Sequence, residues 1–152
     1  MTDDMTQEMA PLVVVPARMA STRLPGKPLA DICGAPMIVP VWRRAVQAGW
    51  GRVVVAAGEP EIADAVRAAG GEAVLTDPDL PSGSDRVWQA VCQVDPDGRH
   101  RIVLNVQGDL PTLDPALIRT ACEALIRPGT DISTLAAEIT LEEERTNENV
   151  VK

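Results

Sequence analysis

Among 152 residues there is no phenylalanine, no tyrosine and only three tryptophans. The core must then be assembled from Val, Leu, Ile and Ala, the residue set of a buried parallel sheet covered by helices. A single histidine, His100, excludes a His-based metal cluster or triad and reads as a surface residue between Arg99 and Arg101. The cysteines, Cys33, Cys92 and Cys122, are odd in number, widely spaced and free of any CxxC pair. They exclude a disulfide framework and a zinc site, suit a reducing compartment and read as small buried hydrophobes. Basic excess is lacking too. The formal charge is −8, which argues against a nucleic-acid partner. No apolar run is long enough to cross a bilayer, and the polar start MTDDMTQEMA has no signal-peptide core. The expectation is a cytoplasmic protein with no membrane partner, in which residues 1–10 form a disordered extension and 11–152 one domain.

What is present is an alternation of strand and helix signals. β-branched or alanine-rich runs at Leu12–Pro16, Arg52–Ala57, Glu72–Leu75 and Arg101–Val106 read as strands. Helical patterns fall between them at Met37–Ala48, Glu59–Ala69 and about Ser84–Val94, and a further helix follows Asp114, ending near Arg127. Asp131–Glu138 alternates as a fifth strand, and Leu141–Arg145 reads as a solvated helix. Trp42, Trp50 and Trp88, at helical spacing, read as core. This order specifies an α/β fold: a doubly wound, mostly parallel sheet with helices on both faces. Its ligands bind beyond the carboxyl ends of the strands, where strand order reverses. With the order 3-2-1-4-5, the loops Ala17–Pro28 and Gln107–Pro111 meet at that point.

Those two loops are also the most unusual in composition. The first places Arg18, Arg23 and Lys27 with Ser21 and Thr22 in an otherwise acidic chain. Fixed positive charge with backbone donors is what a triphosphate needs, whereas the plain alternative is a solvated basic loop. Neither GxxxxGK[ST] nor GxGxxG is present, so a Walker loop and a dehydrogenase fingerprint are excluded. The second loop supplies Asp109 after Gln107 and Gly108, as a Mg2+ ligand opposite the cations or as an ordinary turn residue. A third segment, PSGSDR, offers Ser82, Ser84 and the Gly83 backbone to a base or ribose edge. In it Arg86 either reaches a phosphate or holds the loop, and Ser82 or Ser84 caps a helix in either case.

VVVPARMASTRLPGKPLADICGAPMI closely resembles the opening of the 3-deoxy-manno-octulosonate cytidylyltransferases (CMP-Kdo synthetases), with their P-A-R-x-x-S-T-R-L-P-G-K-P-L signature. GGEAVLT, SGSDR, IVLNVQGD-x-P and N-x-N-V-V-K continue the resemblance in register to Lys152. It implies a Rossmann-like nucleotidyltransferase fold, truncated at the C-terminus, and a magnesium-dependent transfer of CMP from CTP to the sugar acid Kdo for lipopolysaccharide synthesis. Carried over by position, Arg18 and Lys27 would bind the triphosphate with Ser21, Arg23 and Arg86 near it, and Asp109 would hold Mg2+. Ala17, Ser82, Gly83 and Gln107 would line the CTP site. The family's C-terminal part would supply the sugar-acid pocket, the homodimer contacts and a second metal-binding aspartate, so the isolated chain is expected to turn over weakly or not at all. The alternatives are a cytidylyltransferase for another sugar acid and a non-catalytic nucleotide-binding remnant. The chain departs from the family at Leu110, where Glu is usual, at Pro81 for His, at Ala57-Gly58 within an A-T-D motif, and at Glu148 for Pro.

Overall fold

A run of six buried residues, LVVVPA, forms the first strand, β1 (Leu12–Ala17), in a computed structural model that describes residues 10–20, 24–148 and 150. Of the expected extension over 1–10, residues 1–9 lie outside the described residues. After β1 come a short 3-10 turn (Lys27–Leu29) and a two-stranded antiparallel hairpin of β2 (Asp31–Ile32) and β3 (Ala35–Pro36). Helix α1 (Ile38–Gln47), strand β4 (Arg52–Ala57), helix α2 (Pro60–Ala68) and strand β5 (Glu72–Leu75) follow. Helix α3 (Gly83–Val94), strand β6 (Val103–Asn105), helix α4 (Pro115–Leu125) and the short α5 (Glu142–Thr146) complete the order.

The main sheet has the order β5-β4-β1-β6, and every pairing is parallel. Val14 pairs with Val54 on one side and with Asn105 on the other, so β1 is hydrogen-bonded along both edges. Successive side chains of a strand point to opposite faces, and the core divides accordingly. Val13, Val15, Val55 and Leu104 meet α1, α2 and α4 through Ile38, Val41, Ile62, Val66, Ile118 and Cys122. Leu12, Val14, Val54 and Ala56 meet α3 through Val87 and Ala90. Helices therefore cover both faces. Their starts follow the capping residues: Ser82 Oγ accepts the Asp85 amide at 3.1 Å, and Asp114 accepts the Ala116 amide at 2.9 Å with Pro115 as first helical residue.

Four expectations need correction. Residues 131–138 carry no strand pairing. They belong to no regular element, and 131–135 line, together with Val103–Val106, a cavity of about 650 Å3 beside the open edge of β6. Alternation identified residues able to share a face, but without a neighbouring edge at hydrogen-bonding distance no ladder forms. Only Cys122 is buried; Cys33 sits in the β2–β3 turn and Cys92 on the outer side of α3, both exposed. Trp88 is 69% exposed, because α3 turns Val87 and Ala90 rather than Trp88 to the sheet. His100 is half-buried, its Nδ1 lying 2.8 Å from the Ala10 carbonyl oxygen.

The turn after α3 is organised by Asp95. Its buried carboxylate accepts the His100 amide at 2.8 Å and the Arg99 amide at 2.9 Å. The His100 bond above all, with the Arg99 bond adding to it against the opposing effect of desolvation, lowers the Asp95 pKa from its ordinary value. A carboxylate depressed on folding stabilises the native state above its unfolded pKa of about 3.9, and this contribution is lost as pH falls through the folded pKa. Asp95→Asn is thus expected to lower the thermal midpoint at neutral pH, with the deficit shrinking below about pH 4. Melting curves of both proteins across that range check this; a pH-independent deficit would rule out the linkage.

Candidate functional site

Strand order reverses at β1, whose sequence neighbour β4 lies on one side and β6 on the other. Beyond the carboxyl ends of β1 and β6 lies a cavity of about 500 Å3. Two expected loops and the start of α3 converge on it: Ala17, Arg18 and Lys27 from the first, Gln107 and Asp109 from the second, and Ser82, Gly83 and Arg86 from the third. Ser21 and Arg23 lie outside the described residues. Among the described residues, the lining holds three cations, Arg18, Lys27 and Arg86, against one carboxylate, Asp109, in a chain of formal charge −8. A concave surface of one sign focuses the field on an anionic ligand despite the opposite net charge.

The second loop reaches the cavity because residue 108 has no side chain. A Cβ at Gly108 would stand 2.4 Å from the Pro16 carbonyl oxygen, so any other residue would push the loop off the end of β1. Asp109 is thereby delivered opposite the first loop, where its Oδ2 accepts from Lys27 Nζ at 2.9 Å. Gln107 is turned by its own neighbour strand, donating from Nε2 to Asn105 Oδ1 at 2.9 Å. Arg18 is exposed and donates to the Leu80 carbonyl at 3.2 Å, bridging the first loop to the segment before α3.

Arg86 is the largest fully buried side chain, 2% exposed. Its guanidinium donates to Thr76 Oγ1 and, at 3.2 Å, to the Pro78 carbonyl. Thr76 is itself fastened to the end of β4, its amide and hydroxyl both donating to the Ala57 carbonyl at 2.8 and 3.0 Å. Desolvation foremost pulls the Arg86 pKa below its usual value; Glu59 and Asp77 oppose this and Arg18 adds to it. Of the two roles open to Arg86, holding the loop is the one its bonds perform, while its side chain also forms part of the cavity wall. Ser82 Oγ is likewise engaged, as the cap of α3, accepting from the Asp85 amide and donating to its carboxylate. What α3 turns to the cavity is its first turn at Gly83, where helical amides have no partner within the helix.

Sequence reasoning passed over Thr76 and Glu59, which bond to the site from outside it. Glu59 Oε2 accepts the Met19 amide at 2.8 Å. One signal was available: Glu59 holds the N-cap position of α2, where Ser, Thr, Asp or Asn is favoured, and its side chain makes no cap bond. The departures from the family pattern fall unevenly. Leu110 lines the larger cavity beside β6, Pro81 lines neither cavity, and Gly58 sits where a Cβ would come 3.1 Å from Arg18 Cβ and 3.0 Å from an Arg86 nitrogen.

Among the described residues no group of three or more His, Cys, Asp or Glu is placed to hold a metal ion. Among the described residues lining the smaller cavity, Asp109 is the one carboxylate. That fits the mode in which Mg2+ takes one or two carboxylates and completes its shell with substrate phosphates and water, and it does not fit an all-protein cage.

A doubly wound α/β protein with a cationic crevice at its switch point is the class that this fold defines. The chain belongs to the cytidylyltransferase family, whose profile matches residues 12–152. It is 85% identical over 142 residues to a 3-deoxy-manno-octulosonate cytidylyltransferase of Parvibaculum lavamentivorans, covering 93% of this chain and 55% of that protein. A protein of the same name from Rhodospirillum rubrum is 74% identical over 144 residues, covering 94% and 57%. The chain spans about half the length of the curated relatives it matches. Among solved structures, a CMP:2-keto-3-deoxy-manno-octonic acid synthetase complexed with CTP superposes with a TM-score of 0.71 at 40% identity, covering 76% of this chain and 47% of that one.

The buried hydroxyl of Thr76 gives this site a direct stability test. Thr76→Val keeps the volume but leaves a buried guanidinium donor unmatched, at an expected cost of about 1–3 kcal/mol. Denaturant unfolding measures it, and an unchanged midpoint would show that the Arg86 bond contributes nothing to stability.

Proposed function

We propose that this chain is the CTP-binding part of an enzyme that transfers CMP from CTP to 3-deoxy-D-manno-octulosonate. Pyrophosphate is released, and the product serves lipopolysaccharide synthesis. The observation that carries the reading is the convergence of Arg18, Lys27 and Asp109 on one cavity at the sheet's switch point, within a chain 85% identical to a protein of that name. Homodimerisation and a cytoplasmic location belong to the same reading.

In the reaction a sugar-acid hydroxyl oxygen forms a bond to the α-phosphorus, the bond from that phosphorus to the β-phosphate oxygen breaks, and the hydroxyl proton is lost. Charge builds on the leaving pyrophosphate. On this reading Lys27 and Arg18, which line the cavity, bind the triphosphate and neutralise that charge, a contribution that grows towards the transition state. Ser21 and Arg23 join them by motif position. Gly83 at the first turn of α3, with Ala17, Ser82 and Gln107, forms the wall against which the base and ribose would lie, and Arg86 holds the segment before α3 in place. Asp109 would hold Mg2+, which when bound supplies electrophilic activation of the phosphates. Catalysis on this reading is positioning and electrostatics, with no covalent intermediate on the protein.

Calorimetric titration of CTP with Mg2+, against ATP and GTP, tests the reading. Selective CTP binding is expected, weakened about 10- to 100-fold by Lys27→Ala, the loss of one charge-assisted phosphate contact. Absence of CTP binding by the wild-type chain, or equal affinity for the three nucleotides, would sink it. Asp109→Asn addresses the metal separately. It is expected to abolish most of the Mg2+-dependent gain in CTP affinity while metal-free binding persists, because the substitution also releases Lys27 from its 2.9 Å ion pair. An intact Mg2+ dependence in that variant would remove Asp109 as the metal ligand.

A further inference from the structure

We infer that Glu59, outside the cavity, is the positioning residue that holds the cationic loop in its binding shape. The inference rests on the nucleotide reading above and adds a residue to it. Glu59 begins α2, yet its carboxylate does not cap that helix. It reaches across to the first loop, where Oε2 accepts the Met19 amide at 2.8 Å in a partly buried setting. Next to it in sequence, the Gly58 amide donates to the Ala17 carbonyl at 2.9 Å. Arg18 is thus held from both sides, by bonds from residues 58 and 59 to its two chain neighbours.

The clamp extends to the other cation. The Met19 carbonyl accepts the Gly26 amide at 3.1 Å, which closes the loop one residue before Lys27. A chain of bonds therefore runs from Glu59 through Met19 to Gly26, with Arg18 next to Met19 in the chain and Lys27 next to Gly26. The corner is also tight: a Cβ at Gly58 would stand 3.1 Å from Arg18 Cβ and 3.0 Å from an Arg86 nitrogen, so a side chain there would make its neighbours give way. A helix start that gives up its own capping bond for a charge-assisted bond to a loop amide is spending local stability on loop geometry.

Two effects of Glu59 on an anionic ligand oppose each other in sign, and this makes the inference testable. As a negative charge near the Arg86 guanidinium, Glu59 weakens anion binding through space; as a clamp, it strengthens binding by preorganising the loop. Glu59→Ala removes both, and Glu59→Gln removes the charge while keeping an oxygen acceptor for Met19. CTP affinity is measured by calorimetry well below each variant's thermal midpoint, and the Met19 amide is followed by hydrogen exchange. Glu59→Ala is expected to bind CTP about tenfold more weakly and to exchange Met19 faster, while Glu59→Gln binds as tightly as the wild type or more tightly. A residue that merely supports α2 would shift the midpoint and leave CTP affinity unchanged, which would overturn the inference; tighter binding by Glu59→Ala would overturn it equally. If the wild-type chain binds no CTP, the nucleotide reading fails, and Met19 exchange alone decides whether the clamp exists.

Discussion

Parallel pairing of β1 along both of its edges is the constraint on which the rest of the molecule depends. A strand bonded to β4 on one side and β6 on the other has no solvent-facing edge, and its side chains must be apolar on both faces. The same pairing places the end of β1 at the reversal of strand order, with β4 on one side and β6 on the other. Ala17 is the last residue of that strand and Arg18 the first outside it. The step from core to ligand cavity is therefore one residue long, and the geometry of the cavity is set by backbone bonds to a rigid sheet.

Charge is then distributed against the average. With a formal charge of −8, the chain would repel a triphosphate if its cations were spread evenly. Instead three cations line one cavity, each held by a different device: Lys27 by an ion pair to Asp109, Arg18 by a carbonyl, and Arg86 by burial against Thr76 and Pro78. The Lys27 pair is partly exposed, so its contribution to stability is small, about 1 kcal/mol or less. Its value is geometric. It keeps two opposite charges together in the lining of the cavity.

How far the sequence was readable depended on the range of each signal. β1, β4 and the helices announce themselves through runs, periods and caps within a dozen residues, and the cavity followed because the switch-point rule converts strand order into loop proximity. Residues 131–138 have the alternation of a strand, but pairing depends on an edge supplied from elsewhere, and β6 stands across a cavity from them. Trp88 has helical spacing, which gives a period but not the face that meets the sheet. Glu59 was hidden because its partner is 40 residues earlier and is a backbone amide, a group that every residue but proline carries.

Where the chain departs from the family's sequence pattern, its structure separates two regions that share β6 and its following loop. Gln107, Gly108 and Asp109 turn to the smaller, cationic cavity; one residue later, Leu110 turns to the larger one with Leu113, Leu117 and residues 131–135. A carboxylate at position 110 would be carried towards apolar side chains here, and leucine removes that desolvation cost. The substitution therefore leaves the charge balance of the smaller cavity untouched, with Asp109 still its single acid among the described residues. Gly58 is the opposite case, since it lies against Arg18 and Arg86 themselves. A side chain there would crowd both arginines, whereas the next residue, Glu59, turns its carboxylate to the Met19 amide.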